Sequence, residues 1–209
     1  MVTFISKITQ LIGKGFGIIF PRRFCSITQK LLTHFYTGFY SQRFAQWGHS
    51  TITYPALDLN GLQYISVGDA TVFGKNLQLC AWNAFLEQHF TPHITIGNNC
   101  HIRANAHISA TNSITIGNHL LTGTNVLITD NSHGMVTREY MSLPPNQRPL
   151  TTKGPVVIGD NVWLGNNVCV MPGVTIGDGA IIGANAVVTH DIPPLCVAAG
   201  IPAKVVKQL

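Results

Sequence analysis

The chain repeats one six-residue pattern through residues 156–191. An aliphatic residue recurs there every six positions, and a second apolar or small residue stands two positions before it. The two columns are Ile158, Leu164, Val170, Ile176, Ile182 and Val188, and Val156, Val162, Val168, Val174, Ala180 and Ala186. This period fits neither an amphipathic helix nor an alternating strand. It predicts a parallel β-helix in which three hexapeptides close one coil, so that residues about eighteen apart lie above one another.

Each hexapeptide is expected to supply one short strand and one corner. Glycine often follows the aliphatic column, as at Gly159, Gly165, Gly177 and Gly183, and Asn and Asp are frequent beside it. These residue types tolerate positive φ. The sequence therefore predicts that they form the corners in the left-handed region.

The same period extends back towards residue 51, with two long breaks. Residues 80–92 and 130–155 lack it, and we interpret both as loops, while a two-residue slip falls at 110–113. The sequence predicts an all-β chain with a helical segment at 1–50, a β-helix at 51–191 and a tail at 192–209 that packs back on it. The earlier inward positions are Val67, Phe73, Leu79, Ile96, Ile102, Ile108, Ile116, Thr122 and Ile128.

The first fifty residues carry most of the positive charge. The chain has 13 Lys and Arg against 8 Asp and Glu, yet no acidic residue precedes Asp58. Basic and apolar residues alternate there at helical spacing, which allows two interpretations. The segment is either an amphipathic helix on an anionic membrane surface or a helical cap over the first coil, which solenoids need for solubility. We favour the cap.

The five cysteines form no CxxC pair and indicate no disulfide framework. We interpret them as reduced thiols of a cytoplasmic protein. No uninterrupted apolar run has the length of a transmembrane helix.

The phrases VVIGDNVWLGNNVCVMPGVTIGDGAIIGANAVVTHDIPP and VAAGIPAKVV resemble the hexapeptide-repeat acyltransferases, and the likeness covers roughly residues 65–206. Within that family the chain is most similar to the maltose and galactoside O-acetyltransferases and to the polysaccharide O-acetyltransferases. The resemblance implies a left-handed β-helix, a homotrimer, and acetyl-CoA as co-substrate in a groove between subunits.

The resemblance places the catalytic histidine at His133, in the phrase ITDNSHG that opens the second break. Histidine changes charge near neutral pH, so it suits a general base that takes the proton of an attacking hydroxyl. Asp130 is the candidate for holding the imidazole in the required tautomer.

The resemblance also supplies candidate binding residues. It implies acceptor binding at Asn105, although an asparagine at a β-helix corner is an equally good interpretation there. The positions that match the family's CoA contacts are Trp163, Asn166, Gly183, Ala184, Thr189 and Lys204.

The sequence leads to one function and three alternatives. The preferred function is acetyl-CoA-dependent O-acetylation of a sugar in a surface polysaccharide or lipopolysaccharide precursor, in the cytoplasm or at the inner face of its membrane. N-acetylation of an amino sugar and a non-catalytic scaffold remain open. A zinc enzyme like the γ-type carbonic anhydrases is less favoured, because His101 and His107 are six apart and should lie on different faces. We expect no metal site and no nucleic-acid partner.

Overall fold

The computed structural model describes residues 2–19, 22–56 and 58–208. Two α-helices come first, α1 (Val2–Ile19) and α2 (Arg22–Ser41), and a short helix, α3 (Arg138–Met141), lies in the second break. Two 3-10 turns cover Leu62–Tyr64 and Pro145–Gln147. Short strands make up most of the remaining regular structure.

Three sheets form the three faces of a left-handed parallel β-helix, which confirms the predicted fold. Face A consists of Gln46–Trp47, Ile65–Val67, His93–Ile96, Ser113–Ile116, Val156–Ile158 and Thr175–Ile176. Face B consists of Ile52–Thr53, Val72–Phe73, His101–Ile102, Leu121–Thr122, Trp163–Leu164, Ile181–Ile182, Cys196–Ala199 and Lys204–Gln208. Face C consists of Asp58–Asn60, Gln78–Ala81, His107–Ala110, Leu127–Thr129, Cys169–Val170 and Val187–Val188. Each coil runs from A to B to C, and we name the corners A–B, B–C and C–A.

The predicted columns form the core. Every residue of the two columns in 156–191 is at most 1% exposed. Full burial of one such aliphatic side chain stabilises a fold by about 1.5–3 kcal/mol.

The four described cysteine side chains, including Cys80, are free thiols. Burial raises the pKa of Cys80 to about 12, which is consistent with an unreactive structural thiol.

A ladder of side chains along the A–B corner shows the length of each coil. Asp69, Asn98, Asn118, Asp160 and Asp178 each accept a hydrogen bond from a main-chain N–H of the preceding coil, at separations of 20, 29, 20, 42 and 18 residues. The predicted spacing of eighteen is therefore right for the last coils and wrong for the earlier ones. The additional residues enter at the C–A corner, where the strands of face C are longer and where residues 82–92 and 130–155 leave the coil.

Asparagines turn the B–C corner. Asn76, Asn105, Asn125, Asn167 and Asn185 have φ between 58° and 62°. Each of the first four donates its side-chain amide to the oxygen of the next asparagine along the corner, over 2.8–3.0 Å. Because this ladder joins five coils, it fixes their relative rotation at that corner.

The glycines after the aliphatic column have a different role from the predicted one. Gly159, Gly165, Gly177 and Gly183 do not have positive φ, whereas the asparagines do. A Cβ atom at Gly165 would lie 2.6 Å from the main-chain nitrogen of Ala184 in the next coil. Glycine is required there because neighbouring coils approach too closely for any side chain.

Gly97→Ala tests this packing role. The Cβ of the alanine would lie 2.6 Å from the carbonyl oxygen of Gly117. We therefore expect the free energy of unfolding to fall by about 1–3 kcal/mol. Gly38→Ala is the matched control, since nothing lies within 4 Å of a Cβ at that helical position. The control should be stabilised by about 0.5–1 kcal/mol. Equal denaturation midpoints for the two variants would contradict the close-approach explanation.

Three predicted boundaries need correction. The β-helix begins at Gln46 rather than residue 51, since Gln46–Trp47 pairs with Ser66 and Val67. Residues 82–92 contain an antiparallel hairpin of Ala84–Phe85 with Gln88–His89. In the tail, Cys196–Ala199 is still a parallel strand of face B, and only Lys204–Gln208 folds back antiparallel to it.

Helix α2 covers the first edge of face B. The hydroxyl of Thr37 donates to the carbonyl of Thr53 over 3.1 Å and accepts from its N–H over 3.0 Å. The main-chain N–H of Ala56 donates to the hydroxyl of Tyr36 over 3.1 Å. These bonds satisfy groups that an uncovered edge strand would leave open. Helix α2 therefore covers this edge by hydrogen bonds from polar side chains.

Candidate active site at the C–A corner

The hairpin of 82–92 and the long loop of 130–155 leave the same corner and contact each other. In the loop, Ser132–His133 pairs antiparallel with Leu150–Thr151. The side chain of Gln88 in the hairpin accepts from the N–H of Leu150 over 2.6 Å and donates to its carbonyl over 3.0 Å. Gln88 therefore fixes the strand that pairs with His133.

The imidazole of His133 is exposed and lies against the ring of Phe85. The two ring centroids are 5.3 Å apart, and the planes meet at 73°. This edge-on contact is a favourable geometry for aromatic pairs. The hairpin thus restricts the orientation of the imidazole while leaving its nitrogens accessible.

The first cavity at this corner, the His133 cavity, has a volume of about 440 Å³. Its wall combines aromatic and aliphatic side chains with hydroxyl, amide and imidazole groups: Trp82, Phe85, His107, Ser109, Leu127, Thr129, Asn131, Ser132, His133 and Leu150. Small-molecule sites commonly have this composition of apolar walls with a few polar groups. A sugar ring, with apolar faces and a hydroxylated rim, matches it.

A second cavity, the Thr189 cavity, has a volume of about 560 Å³ on the side of the last coils. Met135, Val136, Met171 and Pro172 give it an apolar wall, and Lys153 and Thr189 are among its polar residues. Ser132 lines both cavities, so the strand Ser132–His133 lies between them. This arrangement allows one side chain to act between two ligands.

Asp130 has a different role from the predicted one. It is fully buried, and its carboxylate accepts from the N–H groups of Thr111 and Asn112 over 2.9 and 2.8 Å. Asn131 donates its amide to the same carboxylate over 3.0 Å. Asp130 therefore ties the start of the long loop to the preceding coil, and the hydrogen bonds described for it do not involve the imidazole of His133.

His107 is a cavity residue that the sequence reasoning missed, because it considered this side chain only as a metal ligand. It lies on face C and His101 on face B, as the six-residue spacing predicts. Burial lowers the pKa of His107, against a smaller opposing effect of Asp58. The imidazole is therefore neutral at pH 7 and can both donate and accept a hydrogen bond in the His133 cavity.

Residues 155–190 match the family model described as bacterial transferase hexapeptide (six repeats), and residues 93–130 match the one described as hexapeptide repeat of succinyl-transferase. The galactoside O-acetyltransferase of Escherichia coli K12 is 38% identical over 117 residues. The chain is similar to hexapeptide-repeat acyltransferases. The match covers 56% of this chain and 58% of the Escherichia coli protein, less than two thirds of that relative.

Solved structures share the fold. An acetyltransferase with hexapeptide repeats from Vibrio cholerae, solved with acetyl-CoA, has a TM-score of 0.54 at 25% identity, over 82% of this chain and 75% of its own. A variant of AntD, an N-acyltransferase from Bacillus cereus solved with dTDP and coenzyme A, has a TM-score of 0.67 over 82% and 87% of the two chains. Its 17% identity supports the shared fold alone.

The residues predicted to contact CoA lie in two places on this chain. Thr189 follows the last strand of face C and lines the Thr189 cavity with Ser132. Trp163 lies half-exposed on face B, and Asn166 accepts at the B–C corner from the N–H of Thr124 over 2.9 Å.

Gly183, Ala184 and Lys204 belong to this second place. A Cβ at Gly183 would lie 3.0 Å from that of Ala199, which pairs with Lys204, and Ala184 lies against Gly165. One chain therefore does not bring these residues together with His133.

Asn105 belongs to the B–C ladder. Its amide oxygen accepts from Asn76 over 3.0 Å, and its amide nitrogen donates to Asn125 over 2.8 Å. These bonds, with its φ of 60°, support the corner interpretation of Asn105. Within the described parts of the chain, no three His, Cys, Asp or Glu side chains are grouped closely enough to hold a metal ion.

Proposed function

We propose that this protein transfers the acetyl group of acetyl-CoA to a sugar hydroxyl of a glycan precursor, with His133 as general base. The observation that carries the proposal is the position of Ser132–His133 between two cavities of different character. The mainly apolar Thr189 cavity suits the pantetheine arm and thioester of the donor. The His133 cavity suits the acceptor sugar.

His133 supplies both proton transfers of the reaction. His133 takes the proton from the acceptor hydroxyl as the oxygen attacks the thioester carbonyl carbon. The tetrahedral intermediate then collapses, the carbon–sulfur bond breaks, and the imidazolium returns the proton to the thiolate of CoA. The products are an acetyl ester of the sugar and free CoA.

We further propose that the active unit is a homotrimer with its sites between subunits. The CoA-matched residues lie partly beside His133 at the C–A corner and partly on face B and the B–C corner. A groove between two copies would unite the first group of one subunit with the second group of its neighbour. Such a groove accounts for matched residues that are apart within one chain.

The glycan is proposed to be a surface polysaccharide or lipopolysaccharide precursor, acetylated at the inner face of the cytoplasmic membrane. The similarity to a galactoside O-acetyltransferase supports a sugar acceptor. The first fifty residues are basic and contain no acidic residue, which supports activity beside an anionic surface. The N-acetylation alternative keeps the same site and changes the attacking atom to nitrogen.

Mass spectrometry tests the proposal directly. Surface glycan from the source organism, with and without this gene, should differ by one acetyl group on a sugar hydroxyl, and that group should be lost on mild alkaline de-esterification. An alkali-stable difference at an amino sugar would favour the N-acetyl alternative. Identical glycans, together with no stabilisation of the purified protein by CoA, would favour a non-catalytic scaffold.

A further inference from the structure

Helix α2 exposes an apolar row on the side away from the β-helix. The side chains that hydrogen-bond to the first coil are polar: Thr37 bonds to Thr53 and Tyr36 bonds to Ala56. The apolar row consists of Ile27, Leu31, Phe35 and Phe39, four residues apart, which are 55%, 64%, 75% and 54% exposed. Leu32 beside them is 65% exposed.

This orientation follows from what the helix covers. An edge strand presents N–H and carbonyl groups, so the helix face that caps it must donate and accept hydrogen bonds. Amphipathic helices of globular proteins normally bury their apolar stripe. Here the polar stripe is used for the cap. The apolar stripe is exposed, and of its members Phe39 contacts the ring of Tyr40 and the guanidinium of Arg43.

Helix α1 presents a second apolar face of the same kind. Ile5, Ile8 and Ile12 follow helical spacing and are 57%, 43% and 54% exposed, and Leu11 is 71% exposed. Lys7 and Lys14 are seven residues apart, about two turns, and therefore lie on one side of the helix. A helix with a broad apolar face beside lysines is typical of segments that lie in a membrane interface.

Charge decides what covers these faces. Residues 1–57 contain Lys7, Lys14, Arg22, Arg23, Lys30 and Arg43 and no acidic residue. Two copies packed through the helices would bring these cations together without acidic partners from the same segments, which disfavours association. An anionic lipid surface supplies both the apolar phase and the opposite charge.

We propose that α1 and the outward face of α2 dock this protein in the plane of an anionic lipid bilayer. Over the residues that the structure describes, no helix has the length and apolarity to cross a bilayer. The helices therefore lie in the interface, with Ile27, Leu31, Phe35 and Phe39 inserted and the lysines at the headgroups. Docking holds the β-helix beside the membrane. It rests on the proposed function where it deepens it, because it places the enzyme at the surface that carries a membrane-borne acceptor.

Vesicle co-sedimentation of the full chain tests this docking. The protein should bind vesicles of phosphatidylethanolamine with one third phosphatidylglycerol, and should bind phosphatidylcholine vesicles much more weakly. Leu31→Gln combined with Phe35→Gln should weaken binding by about tenfold or more per side chain. Val206→Gln is the matched control, because Val206 is 65% exposed outside the helices, and it should bind like the unaltered protein.

A second set of variants tests the contribution of charge to vesicle binding. Lys7 and Lys14 are replaced with Gln, and Lys207→Gln is the control. The loss of each of these lysine charges should weaken binding to the anionic vesicles by about fivefold. Equal binding to both vesicle types, or no binding to either, would overturn the proposal. A change of oligomeric state caused by Leu31→Gln and Phe35→Gln would assign the face to a second copy instead.

Acetyl transfer to a soluble sugar separates this result from the proposed function. The variants at Lys7, Lys14, Leu31 and Phe35 should transfer acetyl groups as fast as the unaltered protein, because these positions are far in sequence from the residues of both cavities. Loss of vesicle binding with full transfer activity would support docking alone. Full vesicle binding by a protein without transferase activity would contradict the proposed function and leave docking intact.

Discussion

Replacement of His133 with alanine is expected to slow acetyl transfer by about 10²–10⁴-fold, the usual contribution of a general base. The imidazole is the titratable group on the strand that separates the two cavities. Alanine cannot accept the hydroxyl proton or return it to the thiolate. The measurement is kcat for acetyl transfer from acetyl-CoA under saturating donor.

The same variant should fold and bind CoA normally. The His133 side chain is exposed, and the strand that carries it is held by main-chain pairing with Leu150. CoA at a hundred times its Kd should stabilise the variant by about 2.7 kcal/mol, as it does the unaltered protein. His93→Ala is the control, since His93 is also exposed but lies on face A. A His133→Ala enzyme as fast as this control would exclude His133 as the base.

Periodicity predicted the core because it depends on local, repeated burial. Residues such as Leu79, Ile108 and Ile128 are inward in every coil for the same reason, and all three are at most 1% exposed. The position of the long loop was also visible, because a break in a six-residue pattern can be read from sequence. The role of the glycines was misjudged, since the contact between Gly165 and Ala184 depends on the spacing of coils.

The remaining features of the site depend on contacts between distant residues. Gln88 and Leu150 are 62 residues apart, and only the coil lengths bring the hairpin to the strand that pairs with His133. The orientation of α2 was unpredictable for a similar reason. Its amphipathic pattern indicates a helix with two faces, but only the unpaired edge at Thr53 decides that the polar face turns inward.

The structure of the C–A corner explains why the proposed chemistry lies where the repeat is broken. Regular coils use their side chains for the core and the corner ladders, which leaves few groups free to react. The hairpin and the long loop extend from the C–A corner and carry Phe85 and His133, with Asp130 as the anchor of the loop. We therefore infer that the position of His133 depends on a carboxylate whose described hydrogen bonds go to Thr111, Asn112 and Asn131.

Asp130→Ala should lower both stability and activity without changing the pH dependence of the reaction. The substitution leaves the buried N–H of Thr111 and the N–H of Asn112 without their acceptor, at a cost of about 3 kcal/mol. For a chain of this size each kcal/mol lowers Tm by about 2–4 °C. The loosened loop should lower kcat, because His133 would be held less firmly between the cavities.

The pH–rate profile separates anchoring from a direct effect on the imidazole. If Asp130 only anchors the loop, kcat falls at every pH and the profile keeps its midpoint. Asp178→Ala is the matched control, since Asp178 accepts from the N–H of Asp160 over 2.8 Å at the A–B corner, away from the loop. This control should keep full activity with a smaller loss of Tm, because its bond is exposed. A shifted midpoint with an unchanged Tm in Asp130→Ala would instead assign Asp130 to the orientation of the His133 imidazole.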